Sequence, residues 1–153
     1  MTRVRQIDPA TADWAALAAL HARAFAEPWE AGALLRLAEG LGAAVLEADG
    51  DEGVEGFVML RAAAGEAEIL TIAVDAPARR KGVGREHKKG AMRVAASLGA
   101  RHMLLEVSRA NAPARALYAG LGFAEVGARP KYYAGEGAAA DALILRAPLA
   151  PRG

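Results

Sequence analysis

A chain of 153 residues fits one domain, and folding at that size buries roughly two-thirds of the unfolded surface, enough for a core without disulfide or metal staples. Apolar residues at 54% and charged residues at 24% exclude a disordered chain, and 19 basic against 18 acidic residues give no electrostatic case for nucleic acid. Zero cysteines exclude disulfides, thiolate zinc sites and a cysteine nucleophile. In chain order, residues 4–7 read as a first strand, stopped by Asp8-Pro9. A helix is expected over about residues 11–25, with Thr11 as N-cap and Trp14, Leu17, Leu20 and His21 on one stripe. Pro28 breaks the chain before a short helix over about 30–38, which Gly40 and Gly42 end. Strands are expected over 43–48, 56–61 and 67–74, separated by Asp49-Gly50-Asp51-Glu52-Gly53 and by Ala64-Gly65, turn-rich links that suit antiparallel neighbours.

A charged glycine loop follows over 75–84, then a helix to about Leu98, ended by Gly99. Residues 103–107 are apolar and bounded, so they read as a buried strand. Residues 113–120 form a short helix with Pro113 in its first turn, where proline is favoured. Strands over 123–127 and 141–147 close the chain, joined by a Gly-rich loop that carries Tyr132 and Tyr133. The order is βααβββαβαββ, an α/β layer structure with helices flanking a mixed sheet. With no apolar h-region at the N-terminus and no long uncharged apolar run, the expectation is a soluble, cytoplasmic protein without a membrane partner.

The strongest local signal is Ile72-Ala73-Val74 running into Arg79-Arg80-Lys81-Gly82-Val83-Gly84-Arg85 and then a helix. Glycines let backbone N–H groups approach a phosphate, and a helix start adds unpaired donors and a positive dipole end. Four cations within seven residues reinforce the field. The same residues also suit a solvated surface turn. A Rossmann fingerprint would need glycine where His87 stands, and only one residue separates Gly82 from Gly84, which excludes a Walker loop. A pyrophosphate-bearing group with another recognition loop remains.

Glu106 lies mid-strand among apolar residues, where a carboxylate is costly unless paired or hydrated. Strand alternation alone would also account for it, by pointing the side chain at solvent. Tyr118, beside Leu117 on a short helix, is by type more often a core residue than an acid catalyst. The only serines, Ser97 and Ser108, lie in no G-x-S-x-G elbow.

R-x-x-G-x-G after a strand, followed by N-x-x-A-x-x-L-Y-x-x-L-G-F from Asn111 to Phe123, resembles the GNAT superfamily of acetyl-CoA-dependent N-acetyltransferases. The resemblance covers nearly the whole chain. Within the superfamily the chain is most similar to the RimI type, the ribosomal-protein alanine N-acetyltransferases. The shared residues are Phe25-Ala-Glu-Pro28-Trp29, the Ile72-Ala73-Val74 strand end, Leu105-Glu106-Val107, Arg129-Pro-Lys-Tyr132-Tyr133 and Ala140-Asp141-Ala142.

That resemblance implies a single domain over 1–153 with a mixed, mostly antiparallel sheet. It implies that backbone groups of Ile72, Ala73 and Val74 pair with the pantetheine arm as an added strand would. The turn carrying Arg79, Arg80, Lys81, Gly82, Val83, Gly84 and Arg85 would hold the pyrophosphate, and Asn111 would touch the cofactor near its pantetheine end. Glu106 would be the general base and Tyr118 the general acid. Phe25, Trp29, Tyr132 and Tyr133 would line the acceptor side. The expected activity is transfer of acetyl from acetyl-CoA to a protein N-terminus, a ribosomal protein among the acceptors, by direct attack in a ternary complex. The protein would be a monomer or weak dimer. A small-molecule amine as acceptor, or an acetyl-CoA-binding module without catalysis, are the alternative readings.

Comparable family helices continue after the glycine loop with small and apolar residues, whereas this chain reads Glu86-His87-Lys88-Lys89-Gly90. Lys88 shares a stripe with Ala91, Met92 and Ala95, so it either snorkels or weakens the packing. Gly90 costs about 1 kcal/mol against alanine inside a helix. His21, His87 and His102 show no ligand spacing, and no metal is expected.

Overall fold

The structure is a computed structural model that describes residues 3–25, 28–50, 53–75, 83–129 and 141–149, with backbone alone for Val83 and Gly84. Its elements are β1 (Arg3–Ile7), α1 (Trp14–Ala24), α2 (Ala31–Ala38), β2 (Ala43–Gly50), β3 (Gly53–Ala63), β4 (Glu66–Val74), α3 (Val83–Ser97), β5 (His102–Ser108), α4 (Ala112–Gly120), β6 (Ala124–Arg129) and β7 (Ala142–Pro148). This is the expected order. The seven strands form one sheet, β1-β2-β3-β4-β5-β7-β6, in which only the β4–β5 pair is parallel.

The period of two along β2 and β3 sends alternate residues to opposite faces, and each face buries its own cluster. Val45, Phe57 and Met59 pack with Leu17 and Leu20 of α1 and Leu34 of α2. Leu46, Val58 and Leu60 pack on the other face with Ala91 and Ala95 of α3. Fully burying each of the larger side chains contributes about 1.5–3 kcal/mol.

One expectation at the helices is corrected, and one cost is explained. Helix α1 is capped by Asp13, whose Oδ1 accepts from the Ala16 N–H at 3.1 Å, and not by Thr11. Thr11 is held in the preceding turn, where its N–H and its hydroxyl both donate to the Asp8 carbonyl, at 3.0 and 3.3 Å. Gly90 lies inside α3 without interrupting it, because a Cβ there would stand 2.8 Å from Val4 Cγ1 and 3.4 Å from Leu46 Cδ2. The glycine lets the helix axis approach β1 and β2.

Two features of β4 shape the site. Ala64 at φ 52° and Gly65 at φ 82° make a tight left-handed turn that folds β4 back on β3. Met59 then pairs with Thr71 but Leu60 pairs with Ile69, so Leu70 is an extra residue that bends the strand. Pairing with β5 covers Glu66↔His102, Ala67↔Met103 and Glu68↔Leu104 and stops there. Past Glu68 the two parallel strands part.

Candidate active site

A cavity of about 580 Å³ opens where β4 and β5 separate. Thr71 and Ile72 come from β4, Leu105 and Glu106 from β5, and Tyr118 from α4; His21, Phe25 and Trp29 line it as well. The two residues expected to handle protons therefore line the same space as two of those expected on the acceptor side.

Glu106 owes its direction to strand alternation, since Met103, Leu105 and Val107 are buried while Glu106 and Ser108 are exposed. The exposed side of β5 at this point is the cavity wall, so alternation turns Glu106 toward the cavity. Its Oε1 lies 3.1 Å from an Arg129 guanidinium nitrogen at the end of β6. Tyr118 sits 5% exposed on α4, with its ring edge-on to Phe123 at 5.6 Å. Burial pushes its phenol up to about 12. Helix α4 starts at Asn111, whose Oδ1 accepts from the Ala114 N–H at 3.2 Å. Asn111 thus has a capping role, while its side-chain amide N–H groups are still available as donors.

Another part of the lining is an aromatic stack built on His21, in the sequence one more position of a helix stripe. The Trp29 backbone N–H donates to His21 Nδ1 at 3.2 Å, so Nε2 carries the proton and donates to Thr71 Oγ1 at 3.1 Å. Phe25 stacks on the imidazole at 4.3 Å and Trp29 at 5.3 Å. Burial pulls the His21 pKa below its ordinary value, which keeps the ring neutral at neutral pH. Phe25 and Trp29 remain 40% and 39% exposed, as residues of a binding wall would be. The signal for His21 was a polar residue on an otherwise apolar stripe, one turn before Phe25. Glu68 and Arg61, 3.5 Å apart, also line the cavity and carried no sequence signal.

Of the residues expected at the cofactor, Ile72 lines the cavity, whereas the Ala73 side chain is buried in the core on the α1 side. Val74 ends β4. Val83 and Gly84 open helix α3, so backbone donors of a helix start lie just downstream of that strand end. Arg85 is exposed in the first turn. Arg79, Arg80, Lys81, Gly82, Tyr132 and Tyr133 lie outside the described residues.

Lys88 neither snorkels nor faces solvent. It is 7% exposed, with its ammonium nitrogen 4.6 Å from the Tyr118 ring centroid. His87 beside it is 0% exposed, and neither ring nitrogen has a hydrogen-bond partner among the described residues. Among those residues no group of three or more His, Asp or Glu side chains is arranged to hold a metal ion. Among the described residues no helix is long and apolar enough to cross a membrane.

The sequence profile of the acetyltransferase (GNAT) family matches residues 12–123. The [ribosomal protein bS18]-alanine N-acetyltransferase of Salmonella typhimurium is 33% identical over 104 residues, 68% of this chain and 70% of that protein. An uncharacterised protein of Mycobacterium leprae is 44% identical over 81 residues, 53% of this chain but 21% of that protein, so the chain spans about a fifth of its length. The crystal structure of the ribosomal-protein-S18-alanine N-acetyltransferase of Escherichia coli is 28% identical with a TM-score of 0.87, covering 100% of this chain and 97% of that one.

Proposed function

This chain belongs to the acetyltransferase (GNAT) family of acetyl-CoA-dependent N-acetyltransferases, and on that footing we propose that it moves an acetyl group from acetyl-CoA to the N-terminal α-amino group of a protein. A ribosomal protein is the favoured acceptor, and the reaction takes place in the cytoplasm. One acetyltransferase domain over 1–153, acting as a monomer or weak dimer, carries the activity. The observation behind this reading is that Glu106, Tyr118 and the Phe25–Trp29 wall line one cavity at the parting of β4 and β5.

Glu106, through water, takes the proton of the attacking amine. Tyr118 gives its proton to the sulfur that departs with the electron pair of the broken C–S bond. The margin of β4 past Glu68 offers backbone donors and acceptors to an extended amide-bearing arm, as a sheet edge does to a peptide. The first turn of α3, with the preceding Arg79, Arg80 and Lys81, meets the pyrophosphate through backbone N–H groups and charge. Phe25 and Trp29 give the acceptor a flat apolar wall that suits a small first residue. With no cysteine in the chain, and neither Ser97 nor Ser108 in the cavity lining, direct attack needs no covalent enzyme intermediate.

Acceptor choice follows from proton arithmetic. An α-amino group has a pKa of about 7.7–8.0 and a lysine amine about 10.4, so at about pH 7.5 roughly a third of the first is neutral but only about one in a thousand of the second. An N-terminal acceptor therefore spares the enzyme about 3–4 kcal/mol of deprotonation work. A peptide with a free N-terminal alanine should be acetylated far faster than the same peptide blocked at its N-terminus and carrying lysine. Equal rates would overturn the N-terminal reading. In the same assay Glu106→Gln should lose most activity below about pH 8 and regain part of it above, where the amine is neutral unaided. A deficit that stays flat across pH would remove Glu106 as the base.

A further inference from the structure

Lys88 stands where α3 packs on the sheet, on the stripe of Ala91 and Ala95, which are both 0% exposed. A leucine there would bury well. An ammonium is expensive in such a place, since taking a charge out of water costs several kcal/mol unless a partner offsets it. Among the described residues no ion pair holds this one, and the group beneath it is the face of the Tyr118 ring, 4.6 Å from nitrogen to centroid. Tyr118 also lines the cavity.

A cation over a neutral phenol gains the modest attraction of the ring quadrupole. Over a phenolate it gains much more, because the negative charge of the deprotonated oxygen is partly delocalised into the ring. The contact is therefore stronger after the proton has left than before, which is the condition for a charge to speed a proton transfer. We propose that Lys88 is a positioning residue acting through Tyr118: its buried ammonium stabilises the phenolate formed as Tyr118 protonates the leaving thiolate. This rests on the reading of Tyr118 as the acid. The C–S bond breaks with its pair on sulfur and the phenol proton moves to that sulfur. The phenolate regains a proton from solvent, matching the one the amine gave up.

Burial by itself works against Tyr118, since a phenol held near 12 surrenders its proton reluctantly. An opposite charge within about 4–6 Å shifts an acid by roughly 1–3 pH units in the helpful direction. Burial also pulls the Lys88 amine down to about 8, still high enough for the charged form to dominate at neutral pH. The charge needed is present.

The test uses Lys88→Leu and Lys88→Arg. Replacing Tyr118 by difluorotyrosine brings the phenol titration into a range that the fold tolerates, where fluorine NMR follows it directly. Lys88→Leu should raise that pKa by about one unit or more and lower kcat about tenfold, with KM for acetyl-CoA little changed. The same variant should melt at a higher temperature, because leucine replaces a buried charge. Lys88→Arg should retain most of kcat. In a Tyr118→Phe background, Lys88→Leu should cost nothing further. An unchanged fluorotyrosine titration in folded Lys88→Leu would overturn the proposal, as would an equal loss of kcat with and without the Tyr118 hydroxyl. If Tyr118→Phe alone keeps wild-type turnover, it is the acid assignment that falls, and the NMR titration still decides whether the ammonium acts on the phenol.

Discussion

His87 sits one residue from Lys88 and shares its burial, but its consequence lies in stability. Burial lowers its pKa from 6.5 to about 4, the nearby Lys88 charge working in the same direction. As pH falls, the unfolded chain takes up a proton near about 6.5 while the folded chain resists until about 4, so stability is lost across that window and levels off below it. A shift of this size corresponds to about 3 kcal/mol at most. His87→Leu should remove this component. Melting temperatures of wild type and variant should then diverge between about pH 6.5 and pH 4, with the variant falling less. Parallel curves would mean that other groups govern the acid limit. At this scale the sequence was only partly readable. Glu106 could be singled out as a carboxylate in an apolar strand, and Tyr118 only through the family resemblance of the motif around it. His21 showed only as a polar residue on an apolar stripe, because its place in the cavity lining depends on a hydrogen bond to Thr71, 50 positions away. The polar pair His87-Lys88 stood out as an anomaly, and only the fold shows that the Lys88 ammonium faces the Tyr118 ring at 4.6 Å.

The helices and strands were legible wherever apolar runs end at glycine or proline. Where two capping residues lie close together, local sequence fails to choose. Thr11 and Asp13 are both good N-caps, and the choice fell to Asp13 because the Asp8 carbonyl holds Thr11 in the turn. Helix α3 is the case in which propensity and packing oppose each other. Gly90→Ala should gain about 1 kcal/mol in intrinsic helix preference. The new methyl group would however lie 2.8 Å from a γ-methyl of Val4, a β-branched side chain with little freedom to turn away. Overpacking of this kind typically costs about 1–3 kcal/mol, so the variant should melt lower despite its better helix former. A rise in melting temperature would show that close approach to β1 is not what the glycine provides. The Leu70 bulge had no sequence signature, because an extra residue in one strand is defined only against its partner.

For the molecule as a whole, the order of elements could be written from the chain, but the strand order β5-β7-β6 could not, since the last strand inserts between its two predecessors. Nor could it be seen that the sheet is joined across its middle by three residue pairs at one end, Glu66↔His102 to Glu68↔Leu104. Hydrogen bonding across the middle is thus confined to one end, while a core shared by β2–β5 and β7 joins the two parts beside it, so whatever lies in the gap adds to what holds them together. A donor molecule bound in the gap should therefore act on the fold as well as on the reaction. At a concentration about 100 times its Kd it adds about 2.7 kcal/mol to the stability of the folded state. Amide hydrogen exchange should register this locally, with the backbone of residues 69–73 slowing on addition of acetyl-CoA more than the β1–β2 hairpin does. Slowing spread evenly over the sheet would place the ligand elsewhere. If the slowing is local, the donor completes across the middle of the sheet the ordering that its own strands leave unfinished past Glu68.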